Sequence, residues 1–291
     1  MGFRLENLGK WSSELEFTVT NEQIRKYSAA TNNVAAEHLD GALAPPMFAV
    51  VPQSLSAAQG QAGEIEYPVI DLEPAAAMKV LHGEQDVYFH QPIRPEMKLR
   101  IKSATVGIFG KSSGTAAVIK FETTDADNAP VNTQYWTLFY RGVSPTESRG
   151  EAAPPGSVVD ENYRQRDPLA TVVQQFDDDQ TRRYAEASGD HMPIHLDDEL
   201  AKSVGLPGVI VHGLCTMAFA GRAVIDSVGG GDPNALKRLA VRFSRVALPG
   251  EQIDTRIWDA GHIFDRNIYA FDTVNSGGET ILTNGLAEIA R

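Results

Sequence analysis

An aspartate and a histidine five residues apart carry the side chains of this sequence best suited to proton transfer. Asp190 and His195 lie in segment 188–195, where Pro193 favours an extended loop over a helix. On such a loop a carboxylate and an imidazole can face one point, position a water molecule, take its proton and return one. The simpler alternative is structural, with Asp190 capping the next helix and His195 hydrogen-bonded within the fold.

A glycine further along the chain is placed to stabilise negative charge. Gly213 opens an apolar stretch that is predicted to be a helix. The free N–H groups and the positive dipole end at a helix start favour a developing oxyanion. The alternative, a glycine needed only for tight entry into the helix, explains the residue type equally well.

The C-terminal half supplies the elements that would hold these residues. A helix capped by Asp177 ends near Ser188, and Gly189 makes the turn into the loop 191–195. Short and long helices are predicted at 197–203 and 213–227, and strands at 170–176, 236–246, 252–259, 267–274 and 280–289. Since the long helix is apolar on nearly every side, the pattern predicts a sheet curled around it.

The N-terminal half repeats this pattern. An apolar stretch at 47–58 precedes predicted strands at 85–91, 98–106, 115–124 and 133–140. The differences 184 − 27, 190 − 33 and 195 − 38 all equal 157, which pairs Tyr27 with Tyr184, Asn33 with Asp190 and His38 with His195. We therefore predict two copies of one fold, 1–145 and 166–291, joined by a linker over 146–165.

Only the C-terminal copy is predicted to be active. Asn33 cannot exchange a proton, and Pro45 and Pro46 stand in the segment that matches His212 and Gly213. His82, His90 and His262 show no metal-ligand spacing, so no metal is expected.

Composition excludes several classes of protein. The net charge of −12 over 291 residues disfavours nucleic-acid binding, and no stretch reaches the roughly 18 apolar residues that span a bilayer. The single cysteine, Cys215, rules out an internal disulfide framework and is expected to be a small core residue rather than a nucleophile. We expect a cytoplasmic protein with no membrane insertion and no nucleic-acid partner.

Together these motifs resemble the MaoC-like, R-specific enoyl-CoA hydratase family of the hydratase-2 type. The resemblance runs over 184–225, through Ser-Gly-Asp at 188–190, Pro-Ile-His at 193–195 and His-Gly-Leu-Cys-Thr at 212–216. Segments 81–85 and 91–95 resemble the noncatalytic half of the family's double-hotdog members. The resemblance implies an α+β fold of two hotdogs in tandem, each a long apolar helix wrapped by an antiparallel sheet, with one active site where they meet.

The resemblance also implies a reaction, the reversible addition of water to a trans-2-enoyl thioester to give a (3R)-3-hydroxyacyl thioester. Asp190 and His195 would activate the water and protonate C2, while the Gly213 N–H would hold the thioester oxygen. The residues expected to contact the substrate are Ser188, Gly189, Met192 and His212. The substrate would be an acyl-CoA or acyl-carrier-protein thioester, with coenzyme A as part of the substrate and no separate cofactor. The N-terminal half would form scaffold and acyl pocket wall, and a homodimer is a candidate assembly.

One position departs from the family pattern. The family's loop reads Gly-Asp-x-Asn-Pro-[Leu/Ile/Val]-His, and Met192 stands at the Asn position. A thioether is at best a weak acceptor, so an atypical rate or substrate range is expected, with His191 as a candidate replacement. The departure also motivates an alternative function, a noncatalytic acyl-thioester-binding or partner subunit.

Coenzyme A or a carrier arm brings phosphate to an acidic protein, so a local basic group is expected. Segment 237–245 is the best cluster, and Arg242 and Arg245 are its candidate phosphate ligands. The alternative is an ordinary charged strand edge.

Overall fold

The computed structural model describes residues 2–61, 70–71, 80–145, 147–156 and 162–291. Its helices are α1 (Asn21–Ala30), α2 (Ala36–Leu39), α3 (Val50–Gln61), α4 (Gln180–Ser188), α5 (Asp198–Ser203) and α6 (Gly213–Val228). The strands of the N-terminal half are β1 (Gly2–Phe3), β2 (Leu15–Thr18), β3 (Ile70–Asp71), β4 (Val80–Phe89), β5 (Lys98–Lys111), β6 (Gly114–Thr124) and β7 (Pro130–Arg141). The remaining strands are β8 (Arg149–Gly150), β9 (Ala170–Gln175), β10 (Leu236–Phe243), β11 (Gln252–Ile263), β12 (Arg266–Asn275) and β13 (Thr280–Ala290).

One antiparallel sheet of eleven strands runs through both halves. Its order is β2-β5-β6-β7-β4-β10-β13-β12-β11-β9, with β8 pairing β5. The order is symmetric about the β4–β10 boundary, since β4, β7, β6, β5 and β2 on one side correspond to β10, β13, β12, β11 and β9 on the other. The predicted tandem double hotdog is confirmed, with α6 packed against β9, β10, β11 and β13.

Residues paired by the sequence repeat also meet in space. The rings of Tyr27 on α1 and Tyr184 on α4 lie 5.8 Å apart, and both are buried. Equivalent residues touch each other where a two-fold axis passes, as in isologous dimers. The two copies are therefore related by an internal pseudo-two-fold axis near this tyrosine pair.

The long helix α6 is apolar on most sides because most of its surface is buried. Its residues Cys215, Met217, Phe219 and Ala220 are all buried in the core between the sheet and the N-terminal half. Burial raises the pKa of the Cys215 thiol, which keeps it protonated, as expected of a core residue. No helix of the described chain combines the length and apolarity needed to cross a membrane.

Two local predictions were wrong. Helix α4 begins at Gln180, so Asp179 and not Asp177 holds the N-cap position. The Asp177 N–H donates to Gln180 Oε1. The segment 191–195 is not all loop, since Pro193–His195 forms a turn of 3₁₀-helix. Proline is tolerated there because the first N–H of a helix has no internal partner.

The strands and the linker also differ in extent from prediction. Strand β4 begins at Val80 rather than at residue 85, and β5 continues past residue 106 through Gly107, where a Cβ would lie 2.2 Å from the Glu151 carbonyl oxygen. The linker segment 149–150 pairs with β5 as β8, whereas Thr146 and 157–161 lie outside the described residues. Gly107 thus marks a place where two segments of the chain approach closely, although the sequence pattern predicted the end of a strand there.

A buried ion cluster joins the halves at the β4–β10 seam. The Arg238 guanidinium on β10 contacts the Asp86 carboxylate on β4 at 2.8 and 3.0 Å and Glu288 on β13 at 3.3 Å. Arg238 also donates to the carbonyl oxygens of Pro154 and Pro155, which fixes the described part of the linker to the seam. Charges this buried are tolerated only when they are paired.

We expect Arg238→Met to lower the free energy of unfolding by about 3–5 kcal/mol, because the Asp86 carboxylate would remain buried without its counter-charge, whereas Glu288 would keep Arg266 at 2.7 Å. Urea denaturation measures this loss. The matched control is Arg242→Met on the same strand, where the side chain is 60% exposed and 3.8 Å from Glu84, and where a loss below about 1 kcal/mol is expected. Equal losses in the two variants would contradict a structural role for the cluster.

Candidate active site

The loop that carries Asp190 is held by hydrogen bonds among its own residues and those of the preceding helix end. Gly189 ends α4 in the left-handed conformation (φ 79°) that favours glycine, and its N–H donates to the Ala185 carbonyl. The Asp190 N–H then donates to Ser188 Oγ at 3.2 Å, and the Met192 N–H donates to Asp190 Oδ1 at 3.2 Å. The carboxylate is therefore positioned before any substrate arrives.

His195 is held in one tautomer. Its buried ring places Nδ1 2.8 Å from the Ile210 carbonyl oxygen, which can only accept, so Nδ1 carries the proton and Nε2 is left with a lone pair. Burial lowers the pKa of His195 below its ordinary 6.5, against the opposing charge of Asp190. At neutral pH the side chain is a neutral base.

His212 contacts both members of this pair. Its ring stacks on that of His195 at 3.7 Å and 24°, and its Nε2 donates to the Asp190 carbonyl at 3.0 Å. Burial, reinforced by His195, lowers the pKa of His212 to about 4, so this ring is neutral as well. His212 contacts Asp190 and His195, and Ser188 contacts Asp190, so both residues help to position the pair, while their predicted contact with substrate stays a prediction.

Helix α6 begins at Gly213, as the sequence analysis predicts. The Gly213 N–H is the first of the helix and has no partner within it, so it is available to an oxyanion. A Cβ at this position would lie 3.0 Å from the Phe243 ring, so a side chain would force that ring away. Glycine is required for close packing as well as for access to the N–H.

The N-terminal half was predicted to form a pocket wall, and two of its residues that were not named in that prediction, His82 and Leu55, lie beside the site. The His82 ring on β4 lies 5.1 Å from the rings of Phe243 and Trp136, and its Nε2 is enclosed with no hydrogen-bond partner in the described chain. Desolvation lowers the pKa of His82 to about 4, and the nearby charge of Asp190 opposes this shift. Leu55 on α3 reaches to within 3.7 Å of the place where a Gly189 Cβ would lie. No spacing rule could have joined these residues to Asp190, because they come from the other repeat.

Ligand atoms of Asp190, His195 and His212 lie within 4.8 Å of one another, which is close enough for all three to reach one metal ion. The two imidazoles are stacked, and stacked rings direct their lone pairs along nearly parallel lines rather than toward one ion. One nitrogen of each ring is also engaged with a carbonyl oxygen. This geometry suits proton transfer better than coordination, and the absence of a metal stays a prediction.

The predicted phosphate-binding cluster is divided by the strand. Arg242 and Arg245 are 60% and 62% exposed, with Glu84 at 3.8 Å and Glu279 at 3.4 Å as loose partners, so both can reach an anionic ligand. Arg238, in contrast, is buried in the ion cluster at the seam. Lys237 lines a cleft at the opposite end of β10.

The equivalent loop in the N-terminal half keeps the hydrogen bonds of the active loop but lacks its carboxylate and its glycine N–H. His38 Nδ1 lies 2.7 Å from the Leu43 carbonyl oxygen, as His195 does with Ile210, and the Ala35 N–H donates to Asn33 Oδ1 at 3.3 Å, as Met192 does to Asp190. An amide stands where the carboxylate should be, and Pro45 precedes a 3₁₀-helix that starts at Pro46, which has no N–H.

Two family models match adjacent parts of the chain. A "MaoC like domain" matches residues 156–276, and an "MFE-2 hydratase 2 N-terminal domain" matches residues 31–142. Together they account for both repeats.

Named relatives agree with these matches. A "probable enoyl-CoA hydratase 2" of Dictyostelium discoideum is 29% identical over 221 residues, which cover 76% of this chain and 72% of the relative. A peroxisomal enoyl-CoA hydratase 2 of Arabidopsis thaliana is 32% identical over 192 residues, 62% of this chain and 60% of that protein. The crystal structure of a MaoC-like dehydratase from Phytophthora capsici superposes with a TM-score of 0.83 at 26% identity and covers 98% of both chains. This chain belongs to the MaoC-like dehydratase family, in its two-repeat form with an MFE-2 hydratase 2 N-terminal domain.

Proposed function

We propose that this chain adds water reversibly to a trans-2-enoyl thioester of coenzyme A and gives the (3R)-3-hydroxyacyl thioester. The observation that carries the proposal is the grouping of Asp190 with the unprotonated Nε2 of His195 beside a helix that begins at Gly213. Relatives named enoyl-CoA hydratase 2 and 3-hydroxyacyl-thioester dehydratase support the same reaction.

The proposed mechanism uses one water molecule held between Asp190 and His195. The pair takes a proton from the water as its oxygen bonds to C3 of the substrate. The electron pair of the C2=C3 bond moves toward the thioester carbonyl, whose oxygen gains negative charge and accepts a hydrogen bond from the Gly213 N–H. A proton from the pair then goes to C2, which completes the addition of one water and restores both side chains.

The alternative of a noncatalytic binding subunit depends on Met192. The backbone of Met192 makes two bonds of the loop, donating its N–H to Asp190 Oδ1 and accepting the His195 N–H at its carbonyl oxygen. Its side chain is 42% exposed and makes no hydrogen bond in the described chain. Since the family's Asn is replaced without loss of the loop's frame, an active enzyme is the better proposal.

The proposal also covers the role of the N-terminal half, the residues that bind the phosphates and the location of the protein. Segment 1–145 acts as scaffold and acyl pocket wall through His82 and Leu55, and Arg242 and Arg245 take the phosphates of coenzyme A or of a carrier arm. A cytoplasmic location is proposed from the single, reduced cysteine. Imaging of the tagged chain tests this location against the peroxisome, the compartment in the name of the Arabidopsis relative.

We expect Asp190→Asn and His195→Gln each to lower kcat by a factor on the order of 100 or more, because each removes proton exchange while keeping a similar shape. Loss of enoyl-thioester absorbance measures turnover. His38→Gln is the matched control, since His38 is buried and makes the same bond to a carbonyl oxygen, and it should leave kcat nearly unchanged. Near-normal turnover in His195→Gln, or a strong loss in His38→Gln, would show that the site is misplaced.

The pH profile of kcat/KM for hydration should be level above pH 6.5 and fall below it. Burial lowers the pKa of His195, so its base form persists at neutral pH and is lost only as the pH drops through that lowered value. Initial rates between pH 5 and about 8 locate the acid limb, and the exposed His191 is a suitable control because His191→Ala should not move it. An acid limb with its midpoint above 6.5 would conflict with His195 as the base.

Restoring the family residue tests the one departure. Met192→Asn keeps both backbone bonds and adds an amide beside Asp190, so turnover of simple enoyl-CoA substrates should rise without a change in product stereochemistry. Steady-state rates on crotonyl-CoA and on longer or branched substrates measure the response. A loss on every substrate would mean that Met192 fits this pocket better than the amide does.

A further inference from the structure

The two ends of the β4–β10 ladder carry different sites. Arg242 pairs with Glu84 near the end where His82 and Phe243 enclose the active site. Toward the other end, where Arg238 pairs with Tyr88, an open cleft is bounded by Phe89 and Lys237. A second cleft shares part of this lining and extends inward to Asn33 and Arg222.

The lining of these clefts corresponds to that of the active site. The repeat offset is 157 at His38 and His195, and it becomes 167 at Leu43 and Ile210 because ten more residues separate the second pair. Pro46 therefore stands where Gly213 stands in the active copy.

The wall residues correspond as well. The differences 243 − 89 and 236 − 82 are both 154, which pairs Phe89 with Phe243 and Leu236 with His82. Leu236 lines both clefts, just as His82 walls the active site. The clefts are the pseudo-symmetric counterpart of the active site, and they have remained open.

The chemistry of this counterpart suits binding without turnover. The Asn33 amide cannot act as a general acid or base, and Pro46 has no N–H for an oxyanion. Most of the lining is apolar, and it includes the following residues: Leu43, Ala44, Ala49, Ile93, Val131 and Leu236. The buried Asn132 side chain also lines the outer cleft, and its Nδ2 has no hydrogen-bond partner in the described chain.

Two cations stand along this apolar surface. Lys237 lines the outer cleft, and Arg222 lines the inner one, where it donates to the Asn32 carbonyl and has Asp226 as a loose partner at 3.8 Å. In a chain of net charge −12, a cleft that combines apolar walls with two cationic side chains favours an apolar chain that carries an anionic group.

We propose that this cleft is a second, noncatalytic site for an apolar acyl chain with an anionic group, either an acyl-CoA or a free fatty carboxylate. The choice of acyl ligand rests on the proposed function of the equivalent active site. Occupation is independent of Asp190 and His195, because the two sites lie at opposite ends of the ladder.

Isothermal titration of the full chain with decanoyl-CoA, which has no double bond to hydrate, tests the proposal. Two ligands per chain are expected. Lys237→Glu should weaken one site by about tenfold or more and leave the other site and hydratase turnover unchanged, while Lys111→Glu, the same charge change at the exposed end of β5, should alter neither. Asn234→Trp, which places a ring over the outer cleft from an exposed position, should weaken the same site as Lys237→Glu.

Titrations with decanoate and with free coenzyme A distinguish the possible ligands of this site. Binding of decanoate at the Lys237-sensitive site would support the proposal with a free carboxylate as ligand, whereas free coenzyme A binding there as tightly as decanoyl-CoA would overturn it, because the apolar cleft would be unused. One ligand per chain would also overturn it, even in an active hydratase. Two ligands in a chain without hydratase activity would sustain this inference and refute the proposed function.

Discussion

The hydrogen bond from His195 Nδ1 to the Ile210 carbonyl is the interaction on which the active site depends. It joins the loop after α4 to the segment that leads into α6, and it fixes which ring nitrogen carries the proton. The free Nε2, the orientation of the ring and its stacking on His212 all follow from that bond. The fold therefore supplies a base in the correct tautomer, and burial keeps it unprotonated at neutral pH.

The same bond at His38 shows that the frame alone does not make a catalyst. Both repeats keep the histidine, its carbonyl partner and the turn in which a side-chain oxygen accepts the N–H two residues on. What differs is the carboxylate, which is an amide at Asn33, and the helix start, which is Pro46 instead of Gly213. Two substitutions on a shared scaffold therefore distinguish the two copies, and the copy without the carboxylate and the glycine is the one proposed to serve as pocket wall and binding surface.

The local parts of this site and the duplication of the fold could be predicted from the sequence. Gly213 at the head of an apolar run predicted the start of α6, and the constant offset of 157 predicted a symmetry that the strand order and the Tyr27–Tyr184 contact display. The contribution of His82 could not be predicted, because it depends on how two distant segments pack. Since neighbours on a strand point to opposite faces, the separation of Lys237 from Arg238 was within reach, but the same rule groups Arg238 with Arg242 and does not predict that only Arg238 is buried.

The positioning roles of Ser188 and His212 show a further limit of reading motifs. A family motif marks both residues without telling which touch substrate and which hold other residues in place. Here the Ser188 hydroxyl accepts the Asp190 N–H and His212 Nε2 donates to the Asp190 carbonyl oxygen, while His212 Nδ1 has no hydrogen-bond partner in the described chain. The hydrogen-bond partners, which depend on the folded geometry, establish the positioning contacts, and contact with substrate stays a prediction for both residues.

Analysis of the product formed from trans-2-decenoyl-CoA in deuterated water tests the central claim most directly. If Asp190 and His195 add water across the double bond while Gly213 holds the carbonyl, the product is (3R)-3-hydroxydecanoyl-CoA with one deuterium at C2 and an intact thioester. Release of free coenzyme A thiol, a product of mixed configuration at C3, or an unchanged substrate would contradict the account.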